Sequence, residues 1–251
     1  MLKILIEREI RSRFIGSVSG WIWLVVTPLL FLAIYAFVFG VIFRARVPEG
    51  FAVPFWSWLA VALWPWLAFS EGLQRAAGSI NQHAALISKV AFPRHLLVHS
   101  NLASVFLLHS IGYLVVLLCV EWFATDIDWL SLPYTFAVIA ALYLLALGLG
   151  FMLASTQVFL RDVEQLLPTV LLFWFFLTPI IYAPEMMPEL LQGLLIYNPM
   201  TWWVEEIREA LFIGKRAPDL ILLSMVIGAS VVYAAGRSMF NHLSPHFEDF
   251  L

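Results

Sequence analysis

The sequence predicts an all-α integral membrane protein, and three observations support this fold class. Hydrophobic residues make up 62% of the 251-residue chain and charged residues only 12%, so a soluble fold would lack the polar surface to cover its core. The mean hydropathy is +0.90. The apolar residues also occur in long runs, whereas β-barrel strands alternate apolar and polar positions. We therefore expect one domain, residues 1–251, with six transmembrane helices.

Six apolar runs define the expected spans, since about 20 apolar residues cross the hydrocarbon core of a bilayer. The runs are Trp21–Phe43, Phe55–Leu73, Leu96–Glu121, Tyr134–Phe159, Gln165–Pro184 and Leu220–Tyr233 or slightly beyond. The first run is too long for the apolar region of a signal peptide, and no small-residue cleavage site follows it. Six spans place both termini on the same side of the membrane.

The basic residues predict which side that is. With both termini in the cytoplasm, nine basic residues lie inside and five outside, as the positive-inside rule requires. The inner residues are Lys3, Arg8, Arg11, Arg13, Arg75, Lys89, Arg94, Arg161 and Arg237, and the outer ones are Arg44, Arg46, Arg208, Lys215 and Arg216. Lys215 and Arg216 oppose this assignment.

The N-terminal residues 1–16 combine four basic residues with an apolar stripe. This pattern is typical of a helix that lies in the membrane interface with one cationic side. A basic flank that only orients the first span is the alternative interpretation.

Residues 184–212, between the last two spans, predict a helical hairpin that enters the membrane face without crossing it. Pro184, Pro188 and Pro199 divide the segment into two helices that are too short to span. In the second helix, the residues predicted on the polar face are Thr201, Glu205, Arg208 and Glu209, and those on the apolar face are Met200, Val204, Ile207 and Leu211. Broken helices at membrane depth are tolerated only against protein or a water-filled cavity. The hairpin is therefore expected to line a path on the periplasmic side.

Three motifs occur together in the order and spacing of a known family. They are Phe159-Leu160-Arg161-Asp162-Val163, Thr178-Pro179-Ile180-Ile181-Tyr182 and Tyr197-Asn198-Pro199-Met200. In these residues, and in the entry pattern over 8–14 and 20–23, the chain resembles the membrane subunit of ABC-2 type exporters. Within that family, the resemblance is in particular to the permeases for O-antigen and related cell-envelope polysaccharides.

The resemblance implies a transport subunit in the bacterial inner membrane rather than an enzyme. It implies a homodimer with two copies of a cytoplasmic ABC ATPase, moving a lipid-pyrophosphate-linked glycan. The chain has no GxxxxGK[ST] phosphate loop, so ATP and Mg²⁺ would be bound by the ATPase. We expect no cofactor, metal site or nucleic-acid partner in this chain itself. The junction at Arg161 and the C-terminal tail favour O-antigen as cargo, and capsular polysaccharide or teichoic acid is the alternative.

Two other classes of protein need ionisable groups within a span, namely an intramembrane enzyme of lipid-linked sugars and a secondary transporter. The predicted spans place carboxylates only near their ends, at Glu71 and Glu121. His99 and His109 lie inside the third span and are predicted to pack as neutral, hydrogen-bonded side chains. Both classes are therefore disfavoured.

The resemblance also marks residues 76–95 as a coupling loop, whose short helix would enter a groove on the ATPase. Asn81 or Ser79 is positioned to cap a helix over Gln82–Val90. The candidate coupling residues are Asn81, Gln82, His83, Lys89, Phe92 and Arg94. A simple connector between two spans is the other interpretation.

Two further sets of residues are candidates for the transport path. Arg161, Asp162 and Glu164 are predicted to form a charged collar at the cytoplasmic mouth, and Asp162 and Gln165 have the spacing of a capping box. Tyr35 and Phe39 lie one turn apart in the outer half of the first span. They are predicted to line a channel, because the apolar faces of sugars stack on aromatic rings.

Overall fold

The computed structural model describes residues 1–13, 20–48, 50–87, 92–124 and 127–250. All regular secondary structure in these ranges is helical, as the composition predicts. The α-helices are α1 (Leu2–Ser12), α2 (Gly20–Tyr35), α3 (Phe55–Gly78), α4 (Ala84–Ile87), α5 (His95–Phe123), α6 (Leu132–Phe159), α7 (Val163–Leu177), α8 (Glu189–Leu195), α9 (Pro199–Arg208) and α10 (Leu220–Leu243). Two π-helical segments, Ala36–Ile42 and Glu209–Ile213, continue α2 and α9.

Three of the described helices are long and apolar enough to cross a membrane, namely His95–Phe123, Trp129–Phe159 and Leu220–Asp249. Two shorter apolar helices cover Val26–Ile42 and Val163–Leu177. The helix α3 spans about 36 Å at 1.5 Å per residue, but it carries charged residues near one end. Three predicted spans are therefore confirmed by length and composition, and the count of six stays a prediction.

The central helix is α3, which packs against α5 and α6 and also contacts α7 and α9. Pro65 lies inside α3 without ending it. A proline has no N–H to donate to the carbonyl four residues earlier, which here is that of Val61. The Tyr113 hydroxyl, from α5, donates to Val61 O at 2.9 Å. A neighbouring helix thus replaces the missing backbone donor, which allows α3 to continue through Pro65.

The helices α6 and α10 make the most extensive contact in the fold, and their backbones touch. A Cβ atom added to Gly236 would lie 2.0 Å from Gly148 O, and one added to Gly148 would lie 2.6 Å from the backbone of Val232. Only residues without side chains permit this approach, a common device where apolar helices pack within a membrane.

The helix α7 ends earlier than the sequence predicts. The uncharged run Gln165–Pro184 was expected to be one span, but the helix stops at Leu177 and Thr178 adopts an extended conformation. The reason is Pro179, because a proline disfavours the helical conformation of the residue before it. The last part of the run is therefore a turn rather than a transmembrane helix.

The N-terminal helix α1 is shorter than the predicted 1–16 segment, and residues 14–16 lie outside the described part of the chain. It packs against α5 with Leu5 buried. Lys3, Arg8 and Arg11 are exposed along it. The position of α1 in the membrane interface stays a prediction.

Candidate functional site

The two motifs around Thr178 and Asn198 meet at the break after α7. The Asn198 Oδ1 atom accepts hydrogen bonds from Met200 N, at 3.1 Å, and from Trp174 Nε1, at 2.8 Å. Its Nδ2 atom donates to Leu177 O at 3.1 Å and to Thr178 Oγ1 at 3.0 Å. One amide side chain therefore caps α9 and ties its first turn to the end of α7.

Arg208, at the other end of α9, completes this junction from inside the protein. Its Nη1 and Nη2 atoms donate to Pro179 O at 2.8 Å and Ile180 O at 3.0 Å. Its Nε atom donates to Trp58 O at 3.3 Å, and the guanidinium carbon lies 3.2 Å from the centre of the Trp58 ring. The guanidinium thus donates to two carbonyls in the turn after α7, where the backbone N–H donors of the helix have ended.

The predicted faces of α9 are half right. The apolar face is confirmed, since Met200, Val204, Ile207 and Leu211 are all buried. The polar face is wrong for Thr201 and Arg208, because both are buried, Arg208 with only 2% of its surface exposed. Arg208 faces backbone carbonyls of the protein instead of water, whereas Glu205 is exposed as predicted.

The two cations that opposed the positive-inside count are neutralised by carboxylates. Lys215 Nζ bonds to Glu206 at 2.6 Å, to Asp219 at 2.9 Å and to Glu209 at 3.1 Å. Partial burial opposes the charge of Lys215, but these hydrogen bonds raise its pKa overall. Arg216 forms a two-pronged pair with Asp128, at 2.7 and 2.8 Å, and thereby lowers the pKa of that carboxyl. The pairs account for the charge of these two residues locally but leave the positive-inside count unchanged.

The structure brings the predicted collar and the predicted coupling helix to one cavity. This cavity, of about 300 Å³, is lined by Asn81, Ala84, Gln157, Arg161, Glu164 and Phe250. Arg161, Asp162 and Glu164 are exposed at the turn between α6 and α7. Residues that are eighty positions apart in sequence therefore form one concave polar surface.

The turn at the collar is held by Gln157, which the sequence analysis missed. Gln157 is 1% exposed, and its Oε1 atom accepts from Glu164 N at 2.9 Å. Its Nε2 atom donates to Arg161 O at 3.3 Å and to Glu164 Oε2 at 3.2 Å. The predicted capping box is wrong, since within the described residues the Asp162 side chain makes no capping hydrogen bond to α7. The glutamine of the preceding helix takes that role.

The described part of the coupling loop is helical within the predicted range. A 3₁₀ turn, Asn81–His83, leads into α4, which is described as far as Ile87. Residues 88–91, and with them Lys89, lie outside the described part of the chain. The Ser79 alternative for the cap is wrong, because Ser79 Oγ donates back to Ala76 O at 2.7 Å. The described 3₁₀ turn begins after Ile80 without a side-chain cap, and a cap by Asn81 stays a prediction.

The remaining coupling candidates divide into two groups. Gln82 is exposed and Asn81 is half-buried on the cavity wall. The other three hold the loop in place: His83 Nε2 lies 3.5 Å from the Glu9 carboxylate of α1, Phe92 packs against the core, and Arg94 bonds to Ser244 O and Glu248 in the C-terminal 3₁₀ helix Ser244–Asp249. Asn81 and Gln82 are thus the candidates positioned to meet another protein.

Tyr35 lies on a second cavity, of about 270 Å³, between α2, α3 and α7. Phe31, Trp66 and Phe175 form its aromatic walls, and the rings of Tyr35 and Phe175 are 5.4 Å apart. Phe39 extends the row, with its ring 6.3 Å from that of Tyr35. The aromatic character predicted for this part of α2 continues across to the neighbouring helices.

A partly buried charge cluster around Glu71 was also missed. Its Oε1 atom lies 2.7 Å from Arg75 Nε and 3.2 Å from Arg13 Nη1. Its Oε2 atom accepts from His109 Nε2 at 2.9 Å. Glu71 lies seven residues before the end of α3, and its place near the end of a membrane span stays a prediction. The predicted hydrogen-bonded packing of His109 is confirmed. The only local signal was the four-residue spacing of Glu71 and Arg75, since Arg13 and His109 are remote in sequence.

A bundle of apolar helices, with a backbone break whose polar groups are satisfied by buried side chains, is typical of an integral membrane protein. The sequence profile of the ABC-2 type transporter family matches residues 1–212. The chain therefore belongs to the ABC-2 type transporter family, as the three motifs predicted.

Three relatives are similar over nearly their whole length. The O-antigen export system permease protein RfbA of Klebsiella pneumoniae is 26% identical over 254 residues, which cover 100% of this chain and 95% of the relative. The protein of the same name from Myxococcus xanthus is 28% identical over 256 residues, covering 99% and 94%. The polysialic acid transport protein KpsM of Escherichia coli is 24% identical over 245 residues, covering 96% and 92%.

Proposed function

We propose that this chain is the transmembrane permease subunit of an ATP-driven ABC exporter of cell-envelope polysaccharide in the bacterial inner membrane. The observation that carries the proposal is the full-length similarity to two permeases named for O-antigen export. O-antigen is accordingly the first candidate cargo. The similarity to a polysialic acid transport protein at 24% identity keeps capsular polysaccharide as the second candidate.

Family membership supports this function over the two rival classes. The predicted spans place no carboxylate away from their ends, and the family match over residues 1–212 is further evidence against a secondary transporter. The Glu71 carboxylate is held by two guanidinium groups and an imidazole, which suits a fixed ion cluster more than a site that takes up and releases protons.

The partner of the chain is proposed to be a cytoplasmic ABC ATPase, present in two copies around a permease homodimer with cytoplasmic termini. The concave surface of Asn81, Arg161 and Glu164 is the candidate docking site. Movement of the ATPase at this cavity would displace the turn that Gln157 holds, and with it the first residues of α7. ATPase closure would thus be transmitted along α7 toward the hairpin.

The glycan is proposed to move along the aromatic side of α2 and α7. Exposed apolar residues cover this side, among them Ile34, Phe37, Leu172 and Phe173. In a symmetric dimer the same surfaces of two protomers would face each other. Rings such as Tyr35 and Phe39 hold sugars by contacts of about 0.5–1.5 kcal/mol each, by analogy with aromatic pairs. Weak and repeated contacts of this kind let a polymer slide.

A deletion strain tests the proposed function. Removal of the gene should abolish long-chain glycan at the cell surface, measured by glycan-specific antibody and by gel electrophoresis of the extracted polysaccharide. The wild-type gene should restore it. Unchanged surface glycan in the deletion strain, in a cell without a second copy of such a permease, would contradict the proposal.

A charge reversal tests the ATPase docking site. Arg161→Glu should reduce co-purification of the ATPase, because it inverts the charge at the exposed turn. Arg8→Glu is the matched control, since Arg8 is also exposed but lies on α1. If the Arg161→Glu variant recovers as much ATPase as the Arg8→Glu control, the docking site does not include Arg161.

A further inference from the structure

Three basic side chains meet where α5 begins and α10 approaches its end. His95 is the first residue of α5, and the ring of His99, one turn later, lies 6.2 Å from it. Arg237 lies six residues before the end of α10, which is about 9 Å at 1.5 Å per residue. The buried ring of Phe151, from α6, contacts two of them. Its centre is 5.2 Å from that of the His99 ring and 5.2 Å from Arg237 Cζ.

The polar atoms of these three side chains are accessible and without partners. All three side chains are half-buried, and within the described residues no hydrogen bond or ion pair reaches any of them. Of the guanidinium nitrogen atoms of Arg237 only Nη1 is fully buried, and neither imidazole has a fully buried nitrogen atom. The hydrogen bond predicted for His99 therefore has no partner in this part of the chain. These donors are open to a ligand from outside it.

The cluster is positively charged and has no carboxylate of its own. The neighbouring Arg94 is bound to Glu248, whereas no carboxylate of the described chain lies within ion-pair distance of Arg237. An unpaired charge beside an apolar helix surface is costly unless water or a counter-ion meets it. An imidazole donates at least one hydrogen bond in either charge state, so His95 and His99 add donors to those of Arg237. The chemistry suits an anion with several oxygen atoms, as a phosphate group has.

An apolar face of α10 leads away from this cluster. At helical spacing from Arg237 it carries Tyr233, Ser230, Val226 and Leu223. Val226 and Leu223 are exposed, and α10 is the least buried of the three long apolar helices among the described residues. Donors at one end and an open apolar face beyond them match a molecule with a phosphate head and acyl chains.

We propose that this cluster binds an anionic phospholipid of the bilayer, such as phosphatidylglycerol. Arg237 and His99 donate to the phosphate oxygens, and an acyl chain lies along Val226 and Leu223. A zwitterionic phospholipid fits less well, because its ammonium group would lie near Arg237 without a free carboxylate to meet it. The site is formed by α5, α6 and α10, whereas the proposed glycan path follows α2 and α7. The ligand is therefore a lipid of the surrounding membrane and does not depend on which polysaccharide is exported.

Native mass spectrometry of the full-length chain in a neutral detergent tests this binding directly. The delipidated protein is titrated with phosphatidylglycerol or with phosphatidylethanolamine of the same acyl chains. The first phosphatidylglycerol should bind at least tenfold more tightly than the first phosphatidylethanolamine. Excess inorganic phosphate should not displace it, because a free anion lacks the acyl contacts. Equal affinity for the two phospholipids, or displacement by inorganic phosphate, would overturn the assignment.

Substitutions at position 237 test the charge. Arg237→Gln should weaken phosphatidylglycerol binding at least tenfold and bring it close to that of phosphatidylethanolamine, whereas Arg237→Lys, which keeps the charge, should retain most of the affinity. Arg8→Gln is the matched control, since Arg8 is an exposed arginine of α1, and it should bind like the wild type. Wild-type affinity in Arg237→Gln would refute the proposal.

A second variant decides the matter if Arg237→Gln does not fold. His95→Leu combined with His99→Leu removes the imidazole donors, keeps apolar bulk and leaves Arg237 in place. It should weaken phosphatidylglycerol binding at least threefold. Unchanged affinity, whatever happens to the melting temperature, would show that the histidines serve packing alone and would refute the site. Export is measured separately through surface glycan, so failure of lipid binding would leave the proposed function intact.

Discussion

Arg208 offers the most direct test of how the backbone break after α7 is stabilised. In Arg208→Met the side chain keeps similar bulk but loses every donor. The carbonyls of Pro179 and Ile180 would then be buried without partners, at about 1–3 kcal/mol each. The contact with the Trp58 ring adds about 2 kcal/mol. The Trp58 carbonyl lies within α3 and keeps its helical donor.

An opposing contribution must be subtracted from this loss. A methionine does not need to be desolvated, whereas burial of a guanidinium costs several kcal/mol even after relaxation. Removing one partner of a buried charged network usually has a net cost of about 3–5 kcal/mol. At roughly 2–4 °C per kcal/mol for a chain of this size, the melting temperature in detergent should fall by about 6–20 °C.

Two controls make the Arg208 result specific. Arg208→Lys keeps the charge but lacks the planar fork that reaches several carbonyls, so it should be intermediate. Arg216→Met removes an exposed arginine of the same hairpin region and should have a much smaller effect. For a local readout, Ile180→Cys in a Cys119→Ala background should react slowly with a thiol reagent, because position 180 is fully buried, and faster once Arg208→Met is added. A methionine variant that melts like the wild type would refute the proposed role of Arg208.

Three further predictions concern helix packing and the collar turn. Gly236→Ala would place a Cβ atom 2.0 Å from Gly148 O, so α6 and α10 must separate and the melting temperature should drop. The control is Gly228→Ala on the same helix, whose Cβ atom would meet nothing within 4 Å; it should be neutral or stabilising by about 0.5–1 kcal/mol. Tyr113→Phe should cost about 1–3 kcal/mol, because Val61 O loses its donor, and most of this penalty should vanish in a Pro65→Ala background, where the backbone N–H returns; an unchanged penalty there would show that the hydroxyl acts in another way. Gln157→Leu should speed hydrogen exchange at residues 160–164 and weaken ATPase binding, while Gln192→Leu, in the hairpin, should leave both measurements unchanged.

The fold class and the family were within reach of the sequence because they depend on composition and on short local motifs. Apolar runs predict helices wherever the backbone must satisfy its own hydrogen bonds. The motifs at Thr178 and Asn198 were found as patterns, and the structure gives their physical meaning. Asn198 joins the two helix ends that these motifs mark.

The misplaced residues share one cause, which is that their partners are distant in sequence. Helical periodicity assigns Arg208 to a polar face, but it carries no information on the carbonyls of Pro179 and Ile180 that the side chain meets. A capping box was predicted from Asp162 and Gln165 by local spacing, while the acceptor comes from Gln157 in the previous helix. The ion cluster at Glu71 was missed because Arg13 and His109 are remote from it in sequence.

The central claim is that this chain forms the membrane path for ATP-driven export of polysaccharide. It is tested most directly with proteoliposomes that contain the chain and its ATPase, loaded on the ATPase side with lipid-linked glycan. Glycan reaching the opposite side is measured by a membrane-impermeant lectin. The account predicts transfer that requires this chain, the ATPase and ATP hydrolysis together. Transfer that proceeds without the chain, or that follows an imposed proton gradient in the absence of ATP, would contradict it.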